Sequence, residues 1–94
     1  MSNNATNSPF VKFTYTILDP AGLPDIKSWI INLNTIVSIK TISNNEIKII
    51  LSNNQIINIK MNKENNAEKV MNDILQLDAV GIDYNVYKIN SSKI

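Results

Sequence analysis

A small α+β domain, with one amphipathic helix packed on one face of a twisted antiparallel sheet of five or six strands, is predicted by three features of this 94-residue sequence. Apolar residues alternate with polar ones along Val11–Leu18, the signature of a half-buried strand. A nine-residue echo follows, Ser43-Asn44-Asn45 and then Ser52-Asn53-Asn54, each a turn leading into an isoleucine-rich strand. Beyond Met61 the hydrophobic period changes from two to 3.6. The order of elements is β-β-β-β-β-α-β.

The first strand places Val11, Phe13, Tyr15 and Ile17 on one face and Lys12, Thr14 and Thr16 on the other. It stops at Asp19-Pro20-Ala21-Gly22, where Pro presets φ and Gly accepts the left-handed conformation. Leu23-Pro24-Asp25 is expected to extend the break. A second short strand, Trp29–Leu33, puts Trp29, Ile31 and Leu33 on one face.

Loop length sets the register of the two echoed hairpins, and register sets which side chains share a face. Two-residue loops, Asn44-Asn45 and Asn53-Asn54, mix apolar and polar residues on both faces. Three-residue Ser-Asn-Asn loops with a bulge at the last Asn point Val37, Ile39, Ile47, Ile49, Leu51, Ile57, Ile59 and Met61 one way. The second register segregates the faces and is preferred. It sets Glu46 opposite Lys60 and, at some cost, Lys40 opposite Lys48.

Ala67, Val70, Met71, Ile74 and Leu75 form the helical stripe, which is expected to cover the apolar sheet face. Asn65 and Glu68 have capping-box spacing, and Gly81 is the expected stop. Asp83–Ile89 reads as a short final strand at a sheet edge. The domain is expected to span residues 10–90, between a flexible polar arm over 1–9 and a frayed tail over 91–94.

Composition excludes much chemistry. The hydrophobic share of 44% and charged share of 18% belong to a globular chain, and its size buries roughly 60–65% of the unfolded surface. There is no Cys and no His, hence no thiolate, no imidazole base and no ordinary transition-metal site. All nine basic residues are Lys, without the Arg preferred for phosphate and guanine. No cofactor is called for. The expectation is a protein that is not an enzyme. A convergent Asp–Lys or Asp–Tyr cluster would be the sign of catalysis. Asp19 and Asp25 are one paired-carboxylate candidate, and turn chemistry accounts for both. No apolar run reaches the length of a membrane span, and the N-terminus lacks a signal-peptide pattern, so the protein is expected to be cytoplasmic and to have no membrane partner. Abundant Ile and Asn, with Lys as the only base, point to an AT-rich genome, such as those of many phages and host-restricted bacteria, with an ordinary low-GC bacterium as the alternative.

The run Ile30-Ile31-Asn32-Leu33-Asn34-Thr35-Ile36, then a hairpin and a short helix, resembles small flagellar accessory proteins of the FlbD type and is similar in outline to LytTR-type DNA-binding domains. The likeness covers about half the chain and rests on alternating Ile, so no functional residue is carried over from it.

Candidate functional residues come from the outer sheet face. Ile36, Ile42, Ile50 and Ile56 are more large aliphatics than a wholly wet face needs, and are candidates for an interface with a second copy or another protein. Lys12, Lys40, Lys48, Lys60 and Asn58 are candidates for anion binding, with a nucleotide-type ligand favoured over nucleic acid. The ordinary alternative for the lysines is a solvated, solubilising face, and for the isoleucines burial by the N-terminal arm or the 19–28 loop, or scattered exposure. Trp29, Tyr84 and Tyr87 are candidates for lining a pocket, against the commoner role of core aromatics. The leading expectation is a non-catalytic assembly protein, an accessory protein of a phage or mobile element, acting through the outer face or a strand edge. The alternative is an oligomeric module that captures an anionic ligand.

Overall fold

A computed structural model describes residues 9–94. The strands are β1 (Phe10–Leu18), β2 (Pro24–Asn32), β3 (Ile36–Ser43), β4 (Glu46–Leu51), β5 (Gln55–Met61) and β6 (Asp83–Lys93), with one helix, α1 (Ala67–Leu75), between β5 and β6. They form one six-stranded sheet in the order β2-β1-β6-β5-β4-β3. The α+β class and the order of elements are those expected. One strand pair, β1 with β6, is parallel, so the sheet is mixed.

The echoed hairpins fold largely as the preferred register requires. Ile50 lies opposite Ile56, Glu46 opposite Lys60, and Lys40 opposite Lys48. The second loop is Ser52-Asn53-Asn54, closed by the Asn54 N–H donating to the Leu51 carbonyl at 3.0 Å. Asn54 takes φ of 66°, the left-handed bulge conformation that Asn tolerates. The first hairpin reaches the same register differently. Ser43 pairs with Glu46 across a two-residue loop, and the extra residue is bulged out at Ile42 in β3. The backbone of this turn is occupied: the Asn44 carbonyl accepts from Ala67 N–H at 2.8 Å and the Asn45 carbonyl from Met61 N–H at 2.6 Å. The turn thus anchors the start of the helix.

A second bulge in β3, at Val37, corrects the expected faces of its first residues. Val37 is 68% exposed instead of in the core. Ile36, expected on the outer face, packs against the core. A single inserted residue reverses the alternation, which is why a strictly periodic reading misassigned both.

The core lies between the sheet and α1. Val11, Phe13, Ile47, Ile49, Ile57, Ile59 and Met61 are its largest fully buried side chains, and Ala67, Val70 and Ile74 meet them from the helix. Leu75, expected in the stripe, is exposed. The helix is capped by Asn66 rather than Asn65: its side chain accepts from Glu68 N–H and Lys69 N–H at 2.9 and 3.2 Å. The helix ends before Gly81, because Leu77 itself turns left-handed at φ of 61°.

Three further expectations are corrected. β2 begins at Pro24, so Leu23-Pro24-Asp25 is not an extended break; Gly22, at φ of 83°, completes the turn within Asp19–Leu23. β6 is the longest strand and lies inside the sheet, not at its edge. The tail expected to fray over 91–94 is paired, with Ser91, Ser92 and Lys93 opposite Ile57, Ile56 and Gln55. Residues 1–8 of the expected arm lie outside the described residues; Pro9 is buried and its carbonyl accepts from Leu33 N–H.

Candidate functional site

The outer sheet face is laid out in rows that run across the strands. One row reads Ser38, Ile50, Ile56, Ser92; the next reads Lys40, Lys48, Asn58, Asn90; the third holds Glu46, Lys60 and Lys88. Lys40, Lys48, Lys60 and Asn58 therefore do come together, and Lys88 joins them. Among the described residues none of these four lysines has an ion-pair partner within 4 Å. A shallow concavity of about 380 Å³ opens among them, lined by Glu46, Asn58, Lys60, Tyr87, Lys88 and Asn90. The Lys60 ammonium sits 5.6 Å from the centre of the Tyr87 ring. Lys12 is not part of this group. It lies beside the start of β6, where Asp83 pairs with it at 3.6 Å and accepts from Thr14 Oγ1 at 2.7 Å.

The apolar candidates are dispersed. Ile36 faces the core, Ile42 is half-exposed on its bulge, and Ile50 and Ile56 sit side by side, each half-buried. The aromatics are dispersed too. Trp29 packs against the core, Tyr84 stacks on Phe13 with centroids 5.7 Å apart, and Tyr87 is 62% exposed on the outer side. Asp19 accepts from the N–H groups of Ala21 and Leu23 within its turn, and Asp25 pairs with Lys27 at 3.1 Å. Each carboxylate is thus occupied locally.

An Asp–Lys–Tyr cluster exists elsewhere. Asp73 Oδ2 accepts from Lys69 Nζ at 3.0 Å and from Tyr84 Oη at 2.8 Å. The hydrogen bonds from Lys69 and Tyr84 hold the Asp73 carboxyl below its ordinary pKa. Burial, then the hydrogen bond to Asp73, pushes the Tyr84 phenol up. Both shifts move the groups away from neutral pH, the reverse of what acid–base work requires. No cavity described here is lined by either residue. The cluster fastens the helix to β6.

The most exposed apolar surface lies on the β1–β2 hairpin. Leu18, Leu23, Ile26 and Ile30 are 59–71% exposed, and Ile17 is 43% exposed. Beside it the sheet splits. β1 and β6 pair only from Lys12–Asp83 to Thr14–Asn85. The Asn85 carbonyl then accepts from the side-chain amides of Asn62 and Asn65 at 2.8 and 3.1 Å, and a bulge at Tyr87 turns β6 to follow β5. Among the described residues the far half of β1 keeps β2 on one side and has no strand on the other. The resulting cleft of about 570 Å³ is bounded by Thr16, Ile17, Leu18, Asn62, Asn85, Val86, Tyr87 and Lys88.

Of the aromatics expected to line a pocket beside the last strand, Tyr87 lines this cleft and Trp29 and Tyr84 do not; the split in the sheet that opens it was not expected. The signal was the spacing Tyr84, Val86, Ile89, in which a step of three interrupts the period of two and marks the bulge.

The chain was compared with protein-family models, curated proteins and solved structures, and none of them matches it. Among the described residues no helix is long and apolar enough to cross a membrane.

Proposed function

We propose that this chain is a non-catalytic assembly protein that docks on a protein partner through the free edge of β1 and the apolar hairpin that carries it. One observation supports this above the others: among the described residues the open edge carries no charge, no Pro and no bulge. Natural sheets protect exposed edges with charge, Pro, bulges or covering segments. The β2 edge carries Pro24 and the Asp25–Lys27 pair, and the β3 edge carries Lys40 and two bulges. The β1 edge facing the cleft carries Tyr15, Thr16, Ile17 and Leu18, with no charge and no bulge. Strand addition supplies main-chain hydrogen bonds for affinity and side-chain pockets for specificity. An accessory role in a phage or mobile element fits a composition rich in Ile, Asn and Lys, residues with A/T-rich codons.

The test is a photo-cross-linking residue at position 18 in the cells that make the protein. A discrete protein adduct should form and be lost on Thr16→Pro, which removes an edge N–H without touching the β2 ladder. No adduct, or the same adduct from position 63, counts against the reading.

The alternative, an anion-binding module, is supported by Lys60 and Lys88 lining the 380 Å³ concavity and by Lys40 and Lys48 in the adjoining row, none of them ion-paired among the described residues. A nucleotide held there should dissociate steeply with rising salt and bind more weakly after Lys48→Ala with Lys60→Ala. Salt-independent retention, or none on a phosphate-bearing resin, argues against it.

A further inference from the structure

We infer that the partner of the β1 edge is the β1 edge of a second copy, paired antiparallel about a two-fold axis through Ile17. This inference rests on the assembly reading above and names its partner.

The pattern of free backbone groups carries the inference. On β1, the Lys12 N–H donates to Ile82 and the Phe10 carbonyl accepts from Gly81, so even-numbered residues direct their polar backbone toward β6. Odd-numbered residues turn toward β2, as the Asp19 N–H does in donating to the Leu23 carbonyl. The ladder to β6 ends at Thr14. Thr16 and Leu18 therefore each present one N–H and one C=O to the cleft. An antiparallel pair exchanges both bonds between residues directly opposite, and only alternate pairs do so. Setting Thr16 opposite the partner's Leu18 satisfies all of these groups on both copies. That register puts Ile17 opposite its own counterpart in a pair that makes no hydrogen bonds, the closer of the two spacings.

Other registers serve the edge less well. A pair centred on Thr16 sets Leu18 against Thr14, whose outward groups already serve β6. Centring on Leu18 leaves Thr16 opposite Pro20, which has no N–H to return. The favoured register places no charged side chain opposite another within 16–18, whereas a β2 or β3 edge paired with itself brings in Asp25, Lys27 or Lys40. In the antiparallel sense the partner's Asp19–Gly22 turn runs along β1 toward Thr14, where β6 is already paired, so it must bend out of the strand line and seat in the cleft of about 570 Å³ that opens where β6 leaves β1. Ile17, only partly covered in one copy, then gains a cover from its own symmetry mate.

The chain has no cysteine, so one introduced thiol reports its own contacts. Ile17→Cys should oxidise to a disulfide dimer, because opposed residues in such a pair lie about 4.5 Å apart at Cα, inside the range a disulfide spans. Leu23→Cys, more exposed, should stay monomeric under the same oxidation, being separated from its mate by both β1 strands. In sedimentation, wild type should show concentration-dependent dimer, lost in Thr16→Pro and in Leu18→Lys. Leu18 is 71% exposed, so the second variant tests the edge without challenging the fold. A wild type that stays monomeric at every concentration overturns the inference, as does a dimer in which Ile17→Cys cross-links no faster than Leu23→Cys. If position 18 still forms an adduct with a different protein, only the two-fold pairing falls; if it forms none, the assembly reading falls with it.

Discussion

Replacing Tyr84 with Phe deletes one oxygen and leaves the rest of its environment in place. The ring keeps its stack on Phe13, so the change isolates the hydrogen bond from Tyr84 Oη to Asp73. Hydrogen bonds to charged groups contribute about 1.5–3 kcal/mol. The lower end applies here, because Asp73 retains Lys69 at 3.0 Å and its side chain is 18% exposed, open to a replacement water. The expected loss is about 1.5 kcal/mol at pH 7, a fall in Tm of roughly 6–12 °C for a domain of this size.

The effect carries a pH signature. The folded pKa of Asp73 lies below its ordinary value of 3.8, so its stabilisation is present above that value and is lost as pH falls through the lowered one. The folded pKa of Tyr84 lies above its ordinary 10.0, so its stabilisation is present below that and is lost as pH rises through it, when the unfolded phenol ionises first. The gap between wild type and Tyr84→Phe should therefore be widest near neutrality and close at both ends. Urea unfolding from pH 2 to pH 11 measures it. A gap below about 0.3 kcal/mol at pH 7, or one constant across the range, refutes the fastening role.

Three other changes have defined outcomes in the same unfolding assay. Asn66→Ala removes the cap that accepts from two helical N–H groups and should cost about 1 kcal/mol, whereas Asn65→Ala should leave the helix start intact. Leu77→Gly relieves a left-handed residue that is 53% exposed and should stabilise by up to about 1 kcal/mol, visible as a higher Tm. Ile59→Ala opens a cavity at a fully buried position and should cost about 2–5 kcal/mol, while Val37→Ala, on its bulge, should cost under about 0.5 kcal/mol.

The parts of this fold that were legible in the sequence are those fixed by strict periodicity and local turn chemistry. Ile47, Ile49, Ile57 and Ile59 occupy the core because the Ser-Asn-Asn loop sets a register that segregates them, and Asn54 takes the conformation for which Asn is suited. The illegible parts trace to single inserted residues and to competition for backbone groups. Ile36 and Val37 exchange faces through one bulge, whose trace is the step of three from Ile36 to Ile39; the step from Val86 to Ile89 is the trace of the separate bulge in β6. Asn65 and Asn66 are equally good caps by sequence. Asn66 takes the cap while Asn65 donates to the Asn85 carbonyl, a partner twenty residues away that no local pattern reveals. The outer-face lysines were placed correctly relative to one another, except Lys12, which the parallel β1–β6 pairing takes out of the group and sets beside Asp83.

That parallel pairing also explains why the free edge exists. In the order β2-β1-β6-β5-β4-β3, two antiparallel blocks are joined through β6 alone. β6 has eleven residues; its first three serve β1 and the remainder serve β5. A strand shared end to end between two blocks lets each pair along only its own portion. β1 has nine residues paired with β2, so its far half must extend past the portion of β6 that it owns. The edge at Thr16 and Leu18 is thus a consequence of topology, not of a loose loop. Main-chain N–H and C=O groups need hydrogen-bond partners, and at this exposed edge water or another strand can supply them. The apolar side chains around it, Ile17, Leu18 and Ile26, gain nothing from water. Covering them is what the strand pairing proposed above would add.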